Sequence, residues 1–592
     1  MKKISRDAFL KTSYLAVLAA FAPPNLFGES STATDSIDEF MLNRLVEANN
    51  KSVEQFLQMI SSPLKRQSYR NLSESFSIFT AAFSHPKSLY YGSNDVLKAL
   101  HSTIDKLLEL QYPDGTLDSG GNRKSPPDTA FLLESLCHAA MILKENQAEE
   151  IVAVKTKLDE FVLAAGEGIR TGGVHTPNHR WEICSVLAKL YQLYGDKKYV
   201  ARIDEWLAEG VYQNADGNYP ERSRNYAIVE NEAFITMGEI LNRPEFFEVV
   251  SKNLDSTYYY MEPDGELVSL DSRRQDQFRP IPSWRTYLAY RYMAIHENSG
   301  FFASVAREIE RFDDFDRYVL ARALPHFMSS AILTREMPQG ITLPETYTKH
   351  FAGSDLVRIK RGVVTASIFG GNDQPLTVAS GRSCNPTFFT FRKGSAILEY
   401  ARLSTTFFST GYVRSEGLQK EGNRYTLYEK KEAYYYHPMP EDKRNEKGDY
   451  ALMPSLDGRF WSKMDFESRP KTTLALESKI VIEEVENSFR IAIEVEGAEN
   501  VEVTLDLCFK DGGKFEGVLQ EENEKDFFLE GGFAKYTFGS DTIEVGPGKY
   551  EHANIYGLDG EVYSTHFGSI KGQGQHLYIT GLVPFKHSIT IR

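Results

Sequence analysis

Three polar loops between residues 166 and 285 hold most of the side chains that could handle an acidic sugar. "GEGIRTGGVHTPNHRWE" carries His175, Asn178, His179, Arg180 and Trp181. "NADGNYPERSRNY" carries Tyr219, Arg222, Arg224, Asn225 and Tyr226, and "EPDGELVSLDSRRQDQFRPIPSWR" carries Arg273, Arg274, Arg279, Trp284 and Arg285. Guanidinium groups bind carboxylates through paired, charge-assisted hydrogen bonds, and flat aromatic rings stack on sugars. An ordinary solvated face favours Lys and Glu over this mixture. The natural chemistry for such a set is β-elimination at a uronic acid. The proton α to the carboxylate is weakly acidic, and its removal builds negative charge on the carboxyl group. An enzyme must neutralise that group and supply a base and an acid.

Asn178, with an arginine and a helix N-terminus, is placed to bind the carboxylate. His179 suits a base at its ordinary pKa. Tyr226 suits base or acid if Arg222 and Arg224 lower its phenol from about 10. Which of His179 and Tyr226 takes the proton stays open. Arg180, Trp181, Tyr219, Arg222, Arg224, Arg273, Arg274 and Trp284 are the expected substrate contacts, and no cofactor or metal is called for. Competing uses exist for the same residues. Asn178 alone is explained as an N-cap worth about 1 kcal/mol, and the arginines could pair with Glu221, Asp271 and Asp276. A glycoside hydrolase would instead need paired carboxylates, for which Asp128, Glu182, Asp216, Glu221, Glu230 and Asp276 are candidates. A non-catalytic glycan-binding protein would need the aromatic platform alone.

The loops recur because the chain does. Asp-Gly turns at Asp114, Asp216 and Asp264 each end one helix and precede the next, and helix starts near 128, 178, 226 and 283 are about 50 residues apart. Helical periodicity covers 38–60, 66–84, 93–111, 128–145, 149–165, 178–194, 197–212, 226–242, 244–261, 283–297 and 316–332. Five or six helical hairpins closing on themselves give an incomplete α/α toroid over 36–335, with alternate helices inside and all loops of one kind at one mouth. After a linker at 336–350, alternating β-branched and aromatic runs from 351 to 592 predict an antiparallel β-sandwich. Residues 415–460, charged and tyrosine-rich, read as a long excursion from it.

The 592 residues exceed one compact core, and a net charge of −15 argues against nucleic-acid or anionic-membrane binding. Residues 1–30 combine Lys2, Lys3 and Arg6 with a short apolar run, Tyr14 to Ala22. That run is too short to span a bilayer, so it reads as an export signal to the periplasm or medium. "SRDAFLKTS" is similar to a twin-arginine signal with Asp7 in place of the second Arg. Cys137, Cys184, Cys384 and Cys508 have neither zinc spacing nor a disulfide pattern.

"TPNHRWE", opening an inner helix of a toroid that precedes a β-sandwich, resembles the Asn-His pair of heparinase- and alginate-lyase-type polysaccharide lyases. The resemblance implies that Asn178 neutralises a uronate and His179 assists proton transfer. It implies that Tyr226, after the "ADG" loop, is the catalytic acid or base. The sandwich of many such lyases carries a His-Gly-His-type motif, sometimes with a metal. Here the corresponding "GRSCNPTFFTFRKG" has no His, so no sandwich metal is expected; Arg382, Asn385 and Tyr412 are that domain's expected contributions. The implied partner is an acidic oligo- or polysaccharide, bound by a monomer or homodimer without a membrane anchor.

Overall fold

A computed structural model describes residues 36–60, 68–278, 281–371, 385–458, 460–520, 525–560 and 571–592. Its helices are α1 (Glu39–Ile60), α2 (Tyr69–Ser84), α3 (Asn94–Leu110), α4 (Pro126–Glu145), α5 (Val152–Thr171) and α6 (Pro177–Tyr194). They continue as α7 (Lys197–Leu207), α8 (Arg224–Ile240), α9 (Glu245–Tyr260), α10 (Tyr287–His296), α11 (Gly300–Ile309) and α12 (Ala321–Ser329). The even-numbered helices form the inner ring, α2 packing on α4, α4 on α6 and α6 on α8. Burial follows composition. Inner α6 buries every residue from Trp181 to Leu190, whereas outer α7 buries only Tyr199 and Ile203, as expected for a helix apolar all round and one with a single apolar stripe.

The ring closes where α12 packs against α1. Ile37 bridges to Arg335. The fully buried Arg291 ties the seam, donating to Asp38 Oδ2 (2.9 Å), Leu333 O (3.0 Å) and Arg335 O (2.9 Å).

The three Asp-Gly turns are the same structure built three times. Tyr112 N, Asn214 N and Glu262 N donate to Thr116 O, Asn218 O and Glu266 O at 2.9, 3.0 and 2.7 Å. Gly115, Gly217 and Gly265 have φ of +83°, +83° and +85°, a conformation that costs other residues. Space forbids a side chain as well: a Cβ on Gly115 would lie 1.9 Å from Ala164 O, and one on Gly217 2.4 Å from Lys252 O. The aspartates at two turns meet the sandwich. Asp216 Oδ2 accepts from Gly353 N (2.6 Å), and Asp264 Oδ2 accepts from Arg392 Nη1 (2.5 Å).

The sandwich has two sheets. The first runs in the order 519–520, 526–528, 575–582, 502–509, 396–405, 389–393, 364–369, 356–361, 346–351, antiparallel except between 526–528 and 575–582. The second runs 418–421, 424–436, 471–485, 488–497, 585–591, 541–546, 534–538, 514–516. Alternation puts Val357, Ile359, Leu403, Leu505 and Leu577 against the second sheet. The opposite face of the first sheet presents Arg358 and Arg392 to the toroid. There Glu262, 2% exposed, binds Arg358 Nη1 at 2.9 Å and Thr365 Oγ1 at 2.6 Å.

Several expectations need correction. The sandwich starts inside the expected 336–350 linker, because Thr346–Phe351 pairs with Leu356–Arg361. Much of the 415–460 excursion is sheet: Arg424–Tyr436 pairs along its length with Lys471–Val485. Its alternation is obscured because the buried side of the strand carries Glu429 and, less deeply, Lys431, paired at 3.2 Å, among Tyr425, Leu427 and Ala433. Helix α11 falls between the predicted segments; it is short, and its start is fixed by Ser299 Oγ accepting from Phe302 N at 3.3 Å. The export signal, Cys384 and Arg382 lie outside the described residues. Among the described residues, no helix is long and apolar enough to cross a membrane, and Cys137, Cys184 and Cys508 are buried free thiols.

Candidate active site

Alternation of outer and inner helices makes the inner ones parallel, so their N-termini share one rim with the Asp-Gly turns and the sandwich. Side-chain caps close α2, α4 and α8, where Ser68, Ser125 and Ser223 accept from Asn71 N, Asp128 N and Tyr226 N. Helix α6 differs. Its N-cap is Thr176, which makes no side-chain cap bond and whose hydroxyl is buried without a hydrogen bond. The N-terminal end of α6, with its partial positive charge, is thus left uncapped at this rim.

Asn178 is not a cap. It is fully buried, and its Nδ2 donates to Glu221 Oε2 at 2.7 Å, while its Oδ1 has no hydrogen-bond partner. Glu221 holds Arg274 Nη1 with its other oxygen. The same Arg274 guanidinium lies 4.6 Å from the Tyr226 ring centroid, and its charge also acts on His179. Loops before α6, α8 and α10 thereby bring an amide, an imidazole, a phenol and a guanidinium to one place.

The His179 ring is half-buried, edge to face with Phe131 (5.7 Å) and His175 (4.9 Å). Its Nδ1 is buried without a hydrogen bond. Burial above all, then the positive charge of His175, lowers its pKa from 6.5 to about 4, with Arg274 and Arg70 adding to the effect and Asp128 opposing it. The imidazole is therefore neutral at pH 7 and able to accept a proton.

Around this group the loops are rigidly wired. Asp276 Oδ2 accepts from Ser223 Oγ (2.8 Å) and Asn225 N (3.2 Å), and Ser272 Oγ donates to its other oxygen. Arg285 donates to Asn225 Oδ1. Arg273, exposed, anchors its backbone N on Glu221 O at 2.9 Å and its Nη1 on Pro220 O at 3.1 Å. Half-buried Trp284 stacks on Tyr318 at 5.0 Å and 7°.

Not every expected contact faces this rim's opening. Tyr219 is buried with its hydroxyl on Asn231 Oδ1 (2.7 Å), and Trp181 is buried against Phe234. Arg224 is 2% exposed, 3.9 Å over the Tyr260 ring and 3.7 Å from Asp271, so it is a core arginine. Arg222 is buried at φ +49° and acts on Asp355 of the sandwich. The cation at Tyr226 is thus Arg274, not Arg222 or Arg224. Arg180 is spent on Glu209 (2.6 Å) and on the Trp181 face. In the sandwich, Tyr412 is 1% exposed and donates to Asp506 (3.1 Å). Asn385 bridges the domains, Nδ2 donating to Gln277 O at 3.1 Å.

The carboxylates proposed for hydrolysis are committed elsewhere. Asp128 accepts from Arg70, Asn122 and Ser125. Glu221 serves Asn178 and Arg274, Asp276 holds the start of α8, and Asp216 holds Gly353. Burial raises the Glu182 and Glu230 pKa values well above the ordinary carboxylate value. Sequence reasoning also missed the ring axis. A cavity of about 100 Å³ there is lined by Glu134, His138, Lys189, Glu232 and His326. Polar residues on otherwise apolar inner helices, such as Glu134 and His138, were its signal. Among the described residues, no group of three or more His, Cys, Asp or Glu side chains is arranged to hold a metal ion.

No protein-family model matches the chain, and no curated relative matches its sequence. Solved structures do match its fold. Heparinase III superposes with a TM-score of 0.52 over 88% of this chain and 76% of that one, at 14% identity. The Streptomyces coelicolor A3 chondroitin AC lyase in complex with chondroitin sulphate matches at TM-score 0.54 and 11% identity, over 95% of this chain and 80% of that one. A Paenibacillus xanthan lyase matches at TM-score 0.53 and 10% identity, over 94% of this chain and 58% of that one. The chain therefore has a polysaccharide-lyase fold.

Proposed function

We propose that this protein is a polysaccharide lyase that cleaves a uronic-acid-containing glycan by β-elimination at the rim formed by α6, α8 and α10. The observation that carries the reading is the gathering of Asn178, His179, Tyr226 and Arg274 at one rim, where Glu221 holds Asn178 to Arg274 and Arg274 lies at the Tyr226 ring. The uronate carboxylate binds at Arg274 and the uncapped start of α6, with the Asn178 amide behind them. This binding puts positive charge where negative charge develops. His179, neutral in the free protein, removes the proton on the carbon bearing the carboxylate. The electron pair forms a carbon–carbon double bond as the bond to the glycosidic oxygen breaks, and the Tyr226 hydroxyl protonates that oxygen. A pKa of about 4 leaves His179 unprotonated but weakly basic in the free protein. A bound carboxylate beside it raises the pKa and improves it as a base in the complex. Similarity to lyases whose names refer to heparin, chondroitin and xanthan supports a glycan substrate, and the cationic rim supports an acidic one. The amino-terminal signal read in the sequence supports export.

The hydrolase reading loses ground because four of its candidate carboxylates, Asp128, Asp216, Glu221 and Asp276, are tied to structural partners. The test is a panel of acidic glycans, including alginate, glycosaminoglycans and glucuronate-bearing gums, followed by the ultraviolet absorbance of the conjugated product. Asn178→Ala, His179→Ala and Tyr226→Phe should each abolish turnover with helix content unchanged. Near-wild-type rates in all three on a true substrate would place the site elsewhere.

A further inference from the structure

We infer that Arg70, seated on the Phe131 ring, forms a second anion-binding position beside His179, taking the carboxylate or sulfate of the sugar next to the one cleaved. The assignment of that sugar as the neighbour rests on the lyase reading above; the binding position itself does not. Arg70 lies in the first turn of α2, the inner helix on the far side of α4 from α6. Its guanidinium carbon is 4.4 Å from the Phe131 centroid, and the His179 ring meets Phe131 from its own side at 5.7 Å. Guanidinium and imidazole thus share one phenyl ring and lie no more than about 10 Å apart, within the reach from one sugar to the next.

The guanidinium is held in place rather than left to wander. Arg70 Nη2 donates to Asp128 Oδ1 at 3.0 Å, and Asp128 is fixed by Asn122 Nδ2 (2.9 Å) and Ser125 Oγ (2.8 Å). Asp128 is 12% exposed, yet the Arg70 side chain is 52% exposed. The contact with Asp128 engages one of five guanidinium N–H groups, so an edge remains open toward solvent on the rim that carries His179. Arg70 reaches across to Asp128 on another inner helix and is stacked there on Phe131. A planar donor oriented by a carboxylate and a ring suits an oxyanion better than a hydroxyl.

The test compares wild type with Arg70→Gln by calorimetric binding of three probes. Hyaluronan alternates uronate with an uncharged sugar, chondroitin sulphate adds sulfate to the neighbour, and polymannuronate places a carboxylate on every sugar. Loss of one charge-assisted hydrogen bond should weaken chondroitin sulphate, polymannuronate or both by about tenfold or more, with hyaluronan changed less than threefold. Which probe suffers distinguishes sulfate from carboxylate. Phe131→Leu should produce the same selective loss with unchanged circular dichroism. Equal loss on all three probes, no loss, or no binding of any probe by the wild type would overturn the inference. Selective binding without unsaturated product would leave the Arg70 position standing and reject the lyase reading instead.

Discussion

Replacing Arg274 with Met removes a group that touches both Glu221 and the Tyr226 ring. A carboxylate held as near the guanidinium as that ring, 4.6 Å, gains about 3.6 kcal/mol at an effective dielectric near 20. If that attraction is realised mainly in the transition state, its loss slows turnover a few hundredfold, within the roughly 10²–10³ typical of removing one such donor. Stability also falls, because Glu221, its side chain 7% exposed, keeps Asn178 but loses its cation. Arg274 itself is 22% exposed, so solvent screens part of this cost, leaving about 1–3 kcal/mol. The two effects separate in the double variant Arg274→Met/Glu221→Gln, which removes the unpaired carboxylate. It should recover stability in urea unfolding and not recover rate. A second readout is the His179 imidazole titration by NMR, which should move up from about 4 once Arg274 no longer opposes protonation. A folded Arg274→Met protein with kcat within threefold of wild type on a cleaved glycan would refute the assignment. So would a double variant whose rate returns with its stability.

Other expectations follow from the same geometry. The His179 pKa is depressed, so the neutral form persists down to about 4. The acid limb of kcat/KM, which reports free protein, should lie near 4, and that of kcat should lie higher; a kcat/KM limb at 6.5 would show an unperturbed imidazole. Glu262→Gln leaves Arg358, fully buried, without its anion and should cost about 3–5 kcal/mol in calorimetric unfolding; no change in melting would show that the domains do not depend on this pair. Gly217→Ala should destabilise by well over the 1–2 kcal/mol of a left-handed alanine, since its Cβ would meet Lys252 O at 2.4 Å. Gly195→Ala, at φ +74° in open space, should cost only that conformational strain, and equal effects in urea unfolding would contradict the packing argument.

The ring was readable from sequence because its punctuation is chemical. Pro126, Pro177 and Pro282 stand at or just before helix starts, and three glycines are forced by φ near +84° and by close neighbours, a carbonyl at Gly115 and Gly217 and the Phe312 ring at Gly265. The gathering of Asn178, His179 and Tyr226 onto one rim followed from that repeat alone. Which arginine lies at Tyr226 did not. Arg224 and Arg274 look alike in the chain, but Arg224 folds under Tyr260 while Arg274 reaches out to Tyr226. Nor was Glu221 readable as the link between Asn178 and Arg274, because its neighbours suggested only a surface ion pair. Arg70 lies more than a hundred residues from His179 and comes near it because α2, α4 and α6 pack in succession in the inner ring. Strand 424–436 was hidden for another reason: a buried Glu429–Lys431 pair erases the apolar alternation that marks a strand.

The chemistry itself can be read from the fate of water. Cleavage of a uronate glycan by the wild-type protein in ¹⁸O-enriched water, followed by mass spectrometry of early products, tests elimination directly. Elimination leaves unsaturated new non-reducing ends and consumes no water at each cleavage, so no ¹⁸O should enter at the bond being broken. Saturated products carrying one ¹⁸O per cleavage would establish hydrolysis and contradict it.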